Sequence, residues 1–366
     1  MSGKAIHTGS NLMLPNRPRN EAITLRPPAS LRFTTNRNQE CVKTFWEIDM
    51  SKVGGHRNFG YGKRMAWAGK QAIRDRYGDG RYATFAAHAE RWKVFSAWCQ
   101  EVFGIRDARQ VDRSVIETYG QTLSTHVNND RLSVAYAQNL LSTVNVVLES
   151  MRGDRRVRIA PAATVGERST VRSTAPAGLD REMVRQCVDH IRSTGHERVA
   201  SVVELARELG LRLREASMLD ARLALHQART LGAVNITAGT KGARGRHVDR
   251  WVPASQTAMD CLVRAAALQG DGRNLIPAEL SWRQWNWRVH RVWSVSRDSY
   301  GLEKIHDLRA AYACERYERL TGSQAPVIAG VRRASRDEDH KARDVIAREL
   351  GHARRDVVAA YVGSSR

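Results

Sequence analysis

One stretch of this chain breaks its helical periodicity and constrains the fold more than any other. It reads RGDRRVRIAPAATVGERSTVRSTAPAG, and its residues 153–177 are rich in Arg, Pro, Ser and Thr. Such clusters between periodic segments are typical of loops and of domain boundaries. With 366 residues, the chain is long enough for a folded domain on each side of the stretch. The sequence therefore predicts two domains joined by a basic linker.

The charge of the chain indicates its class of partner. The formal net charge is +21 and the pI about 10.5, a balance that favours a polyanion as partner. A membrane surface competes with nucleic acid here, but no stretch approaches ~18 consecutive apolar residues, and no signal or lipidation pattern opens the chain. The five cysteines are scattered without metal-ligand spacing, which favours a reducing cytoplasm and neither disulfides nor a zinc site. We therefore expect the partner to be nucleic acid and the location to be the cytoplasm.

The part before the linker divides into an arm and a helical domain. Residues 1–58 are polar and basic, contain four prolines and show little periodicity, which predicts a flexible arm. In residues 59–152 the pattern is helical. Within ATFAAHAERWKVFSAWCQEVF, apolar residues recur every three or four positions, and Ser133 is placed to cap a later helix. We expect a compact helical domain here.

Residues 178–366 predict a second domain that is mostly helical. The segment AVNITAGTKGARGRHVDRWVPA holds two strand-like runs around a Gly-rich turn, which is typical of a β-hairpin. In SWRQWNWRVHRVW, the tryptophans at helical spacing are expected in the core, with Arg288 outside it. The predicted fold class is therefore mainly α, with a helical domain followed by a mixed α/β domain that is mostly helical and carries a small β-hairpin sheet.

Four short motifs in the second domain carry ionisable residues in a fixed order. They are LGLRLREASMLD with Arg212 and Glu215, GTKGARGR with Lys241, HDLRAAYACERY with His306 and Arg309, and LGH with His352, followed nine residues later by Tyr361. Each alone is a weak signal, because an Arg and a Glu three residues apart are usually a surface ion pair. Together they resemble the tyrosine recombinase (phage integrase) family, whose pattern is T-G-L-R-x-x-E, a hairpin lysine in G-K-G, H-x-L-R, and L-G-H followed by the tyrosine. The resemblance covers roughly residues 60–366.

The resemblance implies a fold, an activity and partners. The two domains would correspond to the family's core-binding and catalytic domains. The family's integrases are site-specific recombinases of mobile genetic elements, which cut and rejoin double-stranded DNA through a 3′-phosphotyrosine and a Holliday junction. They act as homo-tetramers, without metal or cofactor, in some cases with accessory DNA-bending or directionality proteins. The implied location is the cytoplasm, on the nucleoid, with no membrane contact.

The resemblance also assigns roles to the motif residues, and the chemistry suits their types. Tyr361 would be the nucleophile, and the phosphotyrosine would conserve the bond energy, so that no ATP is needed. Arg212 and Arg309 have planar forks suited to phosphate oxygens and would stabilise the charge of the pentacoordinate phosphate. His306 would hydrogen-bond the phosphate and help with the tyrosine proton, and His352 would contact a non-bridging oxygen.

Two further motif residues have supporting or acid roles. Glu215 is expected to position the arginines. Lys241 is the only lysine between Lys93 and Lys304, in a chain with nine lysines and fifty arginines. A lysine whose pKa is lowered can release a proton at neutral pH and an arginine cannot, which suits a general acid for the 5′-oxygen leaving group. The other candidates for DNA contact are arginines, namely Arg155, Arg156, Arg158, Arg244, Arg246 and Arg288.

The spacing of His352 and Tyr361 predicts local structure. On one continuous helix, nine residues make about two and a half turns, which would place the two side chains on opposite faces. The helix that carries Tyr361 is therefore expected to begin near Arg354, with Gly351 and His352 in the preceding turn. Asp356 would then lie in the first turn, where a carboxylate suits the helix N-terminus.

The chain departs from the family pattern in three places, and two other functions stay open. Leu209 replaces the usual Thr, the hairpin is longer, and so is the segment between Arg309 and His352. Within that segment, residues 323–341 join an apolar run to a charged one, which suits either a contact between protomers or a loop over the domain's own core. The alternatives to a recombinase are a type IB topoisomerase-like enzyme that relaxes DNA of any sequence, and a catalytically idle, sequence-specific DNA-binding protein.

Overall fold

The computed structural model describes residues 56–78 and 80–365, without the side chains of residues 243, 244 and 246. The chain forms two units, which divide between Arg168 and Ser169, inside the predicted linker. Most of the predicted arm, residues 1–55, lies outside the described residues. In neither described range is there a helix long and apolar enough to cross a membrane.

The first unit is a group of packed helices. Its elements are α1 (Met65–Tyr77), α2 (Tyr82–Phe103), α3 (Arg113–Asn128), α4 (Val134–Arg152) and α5 (Pro161–Val165). Helices α1, α2 and α4 pack against one another, and α5 packs on α3 and α4. Ser133 caps α4 as predicted, because its side chain accepts a hydrogen bond from the backbone N–H of Tyr136.

The apolar stripes predicted from the sequence form the core of this unit. In α2, Trp92, Phe95 and Cys99 are fully buried, and in α4 the stripe from Leu140 to Met151 is buried as well. Burying one large apolar side chain contributes about 1.5–3 kcal/mol. The stripes, rather than helix propensity, therefore hold these helices together.

Two boundaries differ from the sequence prediction. Asn58, assigned to the arm, is buried: its backbone N–H donates to Asp107 (2.8 Å), and its side-chain oxygen accepts from the N–H of Ala108 (2.7 Å). Pro161–Val165, assigned to the linker, is helical, and Val165 is buried in the same core. Periodicity misses both, because one buried polar residue and a single helical turn contain no repeat to detect.

The second unit holds ten α-helices, several short 3-10 helices and a small sheet among its described residues. The helices are α6 (Arg181–Ser193), α7 (Glu197–Glu208), α8 (Leu213–Met218), α9 (Ala221–Leu231), α10 (Gln256–Gln269), α11 (Trp282–Ser296), α12 (Ile305–Thr321), α13 (Pro326–Ala329), α14 (Arg336–Glu349) and α15 (Ala359–Val362). Strand β1 (Ala233–Asn235) pairs antiparallel with β2 (Trp251–Pro253), with Val234 opposite Val252. The predicted fold class, mainly α with a small β-hairpin, is confirmed.

Helix α12 lies at the centre of this unit's core. Most of its residues from Leu308 to Tyr317 are buried, and the helix packs on α7, α14 and α15. Two of the tryptophans expected in the core, Trp285 and Trp293, are buried, and their indole N–H groups donate to Ser217 (2.9 Å) and to the carbonyl of Glu303 (2.8 Å). Trp282 is partly buried against the same core, whereas Trp287, on the other face of α11, is exposed. Because other helices enclose α12, the backbone at its N-terminus is held in place, and so are the side chains that it carries.

Candidate active site

Arg212 and Glu215 lie where a sharp turn leads into α8. Gly210 makes this turn with a φ of +60°, and a Cβ there would meet the ring of Tyr312 at 2.5 Å, so the position requires glycine. Arg212 directly precedes α8, and Glu215 lies in its first turn. The Arg212 guanidinium donates from Nη1 to the Glu215 carboxylate (2.6 Å), and the Arg212 backbone N–H donates to it as well (2.8 Å).

Glu215 is the charge centre of the site. Its side chain is fully buried, and the Nη1 atoms of Arg212, Arg250 and Arg309 lie 2.6, 2.9 and 3.5 Å from its oxygens. Burial alone would raise the pKa of Glu215, but Arg250, Arg309 and Arg212 outweigh burial and hold the pKa below its usual value. Glu215 is therefore ionised at neutral pH and orients three guanidinium groups.

Helix α12 supplies Arg309, which links the motifs. It is completely buried, donates from Nη1 and Nη2 to the carbonyls of Gly210 and Leu350, and directs Nε at the Tyr361 hydroxyl (3.4 Å). Burial lowers the pKa of Arg309 to about 10, which leaves the side chain charged at neutral pH. The fork therefore connects the turn at Gly210 to the turn after α14, and Nε faces the tyrosine.

Tyr361 meets His352 across the predicted turn. Helix α14 ends at Glu349, Gly351 and His352 follow it, and a 3-10 helix at Arg355–Val358 leads into α15. The α-helix expected from Arg354 onward is thus a 3-10 turn followed by one α-helical turn. Atom Nε2 of His352 lies 3.1 Å from the Tyr361 hydroxyl oxygen.

The other histidine, His306, lies at the start of α12. Its ring centre is about as far from that of Tyr361 (5.7 Å) as the ring centre of His352 is (5.6 Å), but of the two it is His352 that has a ring nitrogen within hydrogen-bond distance of the hydroxyl. The sequence analysis expected His306 to bind the phosphate and to help with the tyrosine proton, and both roles stay predictions. For that proton the geometry favours His352, because the orientation of the turn, which spacing does not define, brings that imidazole within hydrogen-bond reach of the hydroxyl.

Both imidazoles are neutral near pH 7. Burial, followed by the positive charges of Arg309, Arg212 and Arg250, lowers the pKa of His352 to about 4. The pKa of His306 is lowered as well: the residue is accessible, but the protein around the ring removes part of its hydration, and Arg309 and Arg212 add their positive charge. A neutral His352 can accept the proton of the tyrosine that it contacts.

Lys241 and Arg212 line one cavity. Lys241 begins a 3-10 helix, Lys241–Arg246, in the long connection between the two strands, and its side chain is exposed. The cavity has a volume of about 610 Å³ and is also lined by Arg250 and His352. An anionic group that entered it would meet three positive side chains, from Arg212, Lys241 and Arg250.

Other tyrosines of α12 are engaged elsewhere. Tyr312 donates its hydroxyl to Glu349 (2.9 Å), and Tyr317 donates to Asp339 (2.8 Å). Burial and these carboxylates raise the pKa of both hydroxyls. A hydroxyl that is buried and bonded to a carboxylate is a poor nucleophile, which leaves Tyr361 as the better placed one.

The arginines predicted to contact DNA lie outside this cluster. Arg155 and Arg158, in the first unit, are exposed and lie 3.1 and 3.6 Å from Glu149, and Arg156 and Arg288 are exposed as well. The side chains of Arg244 and Arg246 lie outside those that the structure describes. DNA contact stays a prediction for all six.

Sequence reasoning missed Arg250. Its side chain is 5% exposed and, in addition to its pairing with Glu215, donates from Nε to the carbonyl of Glu349 (2.6 Å), just before the turn that carries His352. The available signal was the alternation of strand β2: Arg250 lies two residues before the inward-facing Val252 and therefore on the same face. A charged residue on an inward face indicates a buried partner.

Arg172 was missed as well. It lies in the predicted linker, donates from Nη1 to Asp307 (2.9 Å) next to His306, and donates its backbone N–H to the carbonyl of Ala359 (2.9 Å). Its surroundings in the sequence are polar and aperiodic, so no pattern distinguishes it from the neighbouring arginines. The end of the predicted linker thus supports α12 and α15.

Comparison with known sequences finds one family profile that matches part of the second unit and the end of the predicted linker. Residues 166–315 match the sequence profile of the integrase family, and this range contains Arg212, Lys241, His306 and Arg309. The search of curated proteins found no significant match to this chain.

Solved structures share the fold. The integrase of the transposon Tn1549, in complex with transposon right-end DNA, has a TM-score of 0.53 at 11% identity, over 82% of this chain and 95% of that one. A lambda integrase dimer bound to a core site has a TM-score of 0.51 at 18% identity, over 82% and 95% of the two chains. The XerH site-specific recombinase, bound to a palindromic difH substrate in a post-cleavage complex, has a TM-score of 0.51 at 16% identity, over 81% and 80%. The profile match over residues 166–315 and the shared fold agree with the resemblance to the tyrosine recombinase (phage integrase) family that the order of motifs indicates.

Proposed function

We propose that this chain is a site-specific DNA recombinase that cuts and rejoins duplex DNA through a 3′-phosphotyrosine at Tyr361. One observation carries the proposal: the Tyr361 hydroxyl lies 3.1 Å from Nε2 of a neutral His352 and 3.4 Å from Nε of Arg309. A nucleophile held between a base and a cation is suited to attack on a phosphodiester. A protein that only bound DNA would not need this arrangement.

The cleavage step conserves bonds and protons. The Tyr361 oxygen attacks the scissile phosphorus while its proton passes to Nε2 of His352, and the bond from phosphorus to the 5′-oxygen breaks. Lys241, at the cavity, gives a proton to that leaving oxygen. Rejoining reverses each transfer: the 5′-hydroxyl attacks the phosphotyrosine, and its proton returns to Lys241. Because one phosphorus–oxygen bond replaces another, no ATP is required.

The cluster can stabilise the charge of the pentacoordinate phosphate. Arg212 is the accessible arginine, 26% exposed at the cavity and held by Glu215. Arg309 shares its Nε with the tyrosine and can transfer this hydrogen bond to a phosphoryl oxygen as the tyrosine bonds to phosphorus. His306, which is accessible at the start of α12, would hydrogen-bond the phosphate. Removing one such donor is expected to lower the rate by about 10²–10³.

The partners follow from the same proposal. The solved Tn1549, lambda and XerH proteins are bound to DNA, and the net charge of +21 suits a polyanion. The lambda integrase structure is a dimer on a core site. We extend these observations to a homo-tetramer of this chain that exchanges strands through a Holliday junction on the nucleoid in the cytoplasm, with accessory DNA-bending or directionality proteins.

Covalent trapping on nicked DNA tests the proposal. The Tyr361→Phe variant first selects bound duplexes from a random library, because it should bind without cutting. Wild-type protein is then incubated with a selected duplex that carries a nick beside the candidate cleavage position, so that a short fragment diffuses away and the adduct accumulates. We expect an SDS-resistant adduct with the wild type and with Tyr300→Phe, a control tyrosine of the same unit, and none with Tyr361→Phe.

Other outcomes would indicate the alternative functions. Relaxation of a supercoiled plasmid that lacks the selected sequence would indicate a topoisomerase-like enzyme. Tight, sequence-specific binding without any adduct on nicked duplexes would indicate a DNA-binding protein.

A further inference from the structure

The backbone that follows α15 is held by two arginines of the segment after α12. Arg343, in α14, donates from Nη1 to the carbonyl of Gly363 (3.0 Å) and from Nη2 to that of Ser364 (3.0 Å). Arg332, between α13 and α14, donates from Nε to the carbonyl of Ser365 (2.9 Å). Two guanidinium groups thus bond three consecutive carbonyls. Hydrogen bonds from charged donors are about twice as strong as neutral ones.

Arg343 is itself fixed in the core. It is 2% exposed, and its Nε donates to both oxygens of Asp339 (2.8 and 2.9 Å), which is fully buried. Asp339 also accepts a hydrogen bond from the hydroxyl of Tyr317, on α12 (2.8 Å). All three nitrogens of the guanidinium are used, so the network has little freedom to rearrange.

The fit extends to the backbone of α13. Gly363 has a φ of +89°, and a Cβ there would lie 2.7 Å from the backbone nitrogen of Val327. Glycine is required for the chain to pass α13 at this distance. We name the surface formed by Val327, Arg332 and Arg343 the tail dock; residues 363–365 occupy it.

Helix α15, which carries the nucleophile, needs such support. It has four residues, and a helix of one turn is not stable by itself. At its start, the carbonyl of Ala359 accepts from the backbone N–H of Arg172 (2.9 Å), and the thiol of Cys314 donates to the carbonyl of Tyr361 (3.5 Å). The tail dock holds its other end, directly after the buried Val362.

We propose that the tail dock positions Tyr361. The long segment between α12 and the turn of His352 would then hold the helix that carries the nucleophile. The inference rests on the proposed function, because it concerns the geometry of attack. For residues 323–341 the sequence left two roles open, a contact between protomers and a cover for the domain's own core. The contact of Arg332 with Ser365 and that of the buried Asp339 with Tyr317 favour the second role, and the first of them adds a task to it. Both arginines of the tail dock are positioning residues, because they act on Tyr361 through the backbone of α15.

A matched pair of neighbouring arginines tests the proposal. Arg332 is partly buried in the tail dock, whereas Arg333 beside it is exposed. Arg332→Ala should slow adduct formation on the nicked duplex about tenfold or more, the scale of one lost charged hydrogen bond. Its affinity for the duplex and its unfolding temperature should stay near the wild-type values. Arg333→Ala should leave all three quantities unchanged, and Arg343→Lys, which cannot bond two carbonyls and Asp339 together, should slow the reaction further.

Two readouts separate positioning from a general structural role. Amide exchange should quicken in residues 359–365 of Arg332→Ala and stay unchanged in the rest of the second unit. A substrate with a 5′-bridging phosphorothiolate, whose leaving group needs no proton, should not rescue Arg332→Ala, because the defect lies in the nucleophile.

The outcomes are distinguishable from failure of the proposed function. If wild-type protein forms an adduct and Arg332→Ala forms it at the same rate, the tail dock does not position Tyr361. Rescue of Arg332→Ala by the phosphorothiolate would overturn the inference as well. If the wild type forms no adduct, the proposed function fails and the inference fails with it.

Discussion

Replacing Glu215 with glutamine removes the negative charge that three active-site arginines share. The two side chains have the same shape, so no cavity forms and the effect is electrostatic. The carboxylate oxygens lie 2.6, 2.9 and 3.5 Å from Arg212, Arg250 and Arg309, and the last two arginines are 5% and 0% exposed. An amide carries no charge, and its NH₂ group would point donors at other donors.

The expected loss follows from burial. Removing one partner of a buried ion pair costs about 3–5 kcal/mol, because the remaining charge is left uncompensated. Solvent screens part of the charge of Arg212, but it screens almost none of the charge of Arg250 or Arg309. We therefore expect Glu215→Gln to lower the free energy of unfolding by an amount in the upper part of that range, about 4–5 kcal/mol. With a denaturant slope of about 2 kcal/mol per M, the urea midpoint should fall by about 2 M. Glu318→Gln, on the exposed side of α12, should change stability by no more than about 0.5 kcal/mol.

The assay is urea unfolding of the full chain, followed by hydrogen exchange in peptides from α8 and α12. Because both helices belong to the second unit, this exchange measures the unfolding of that unit alone. The pKa of Glu215 is lowered in the folded state, so its stabilisation is complete above the unfolded-state pKa of about 4.3 and is lost as the pH falls through the folded value. The difference between wild type and Glu215→Gln should therefore be full at pH 7 and decrease in acid. A difference in free energy of unfolding between wild type and Glu215→Gln of less than about 1 kcal/mol at pH 7 would refute the role of Glu215 as the charge centre. A difference that grows as the pH falls would refute it as well.

Further predictions concern the reaction and its surroundings. Tyr361→Phe should bind the selected duplex with wild-type affinity and form no adduct on an SDS gel; an adduct would assign the nucleophile to another residue. Lys241→Arg should cleave slowly although it keeps the charge, and a 5′-bridging phosphorothiolate should restore most of the rate; absence of rescue would make Lys241 a phosphate contact rather than the acid. Hydrogen–deuterium exchange at the histidine ring should give a pKa of about 4 for His352, and Arg250→Met, which removes a nearby positive charge, should raise it; an unchanged pKa would contradict the assigned cause. Deleting residues 1–55 should leave adduct formation on a short nicked duplex unchanged, and a loss of cleavage would show that these residues contribute to the core reaction.

Motif chemistry made much of the site predictable. The arginine and glutamate of LGLRLRE, the HDLR pair and the LGH histidine come from segments far apart in the chain, and they converge as the order of motifs indicates. The turn at His352 followed from helix geometry once the resemblance had assigned both residues to one site, because nine residues on one helix would have separated His352 from Tyr361. Core helices were predictable for a similar reason, since the tryptophans of α11 recur at helical spacing.

What the sequence did not reveal depends on tertiary contacts. Arg250 and Arg172 are two of fifty arginines, and burial rather than composition distinguishes them. Which histidine meets the tyrosine depends on the orientation of one turn, and spacing does not define that orientation. The role of Arg343 required knowledge of contacts between α14 and residues 363–364, which local periodicity does not carry.

The identity of the residue that joins the DNA tests the central claim most directly. Tandem mass spectrometry of the trapped adduct, after digestion with nuclease and trypsin, measures it. We predict a nucleotide joined through its 3′-phosphate to Tyr361, in the peptide that follows Arg355. A nucleotide on Tyr312, on Tyr317 or on any other residue, or one joined through its 5′-phosphate, would contradict the account.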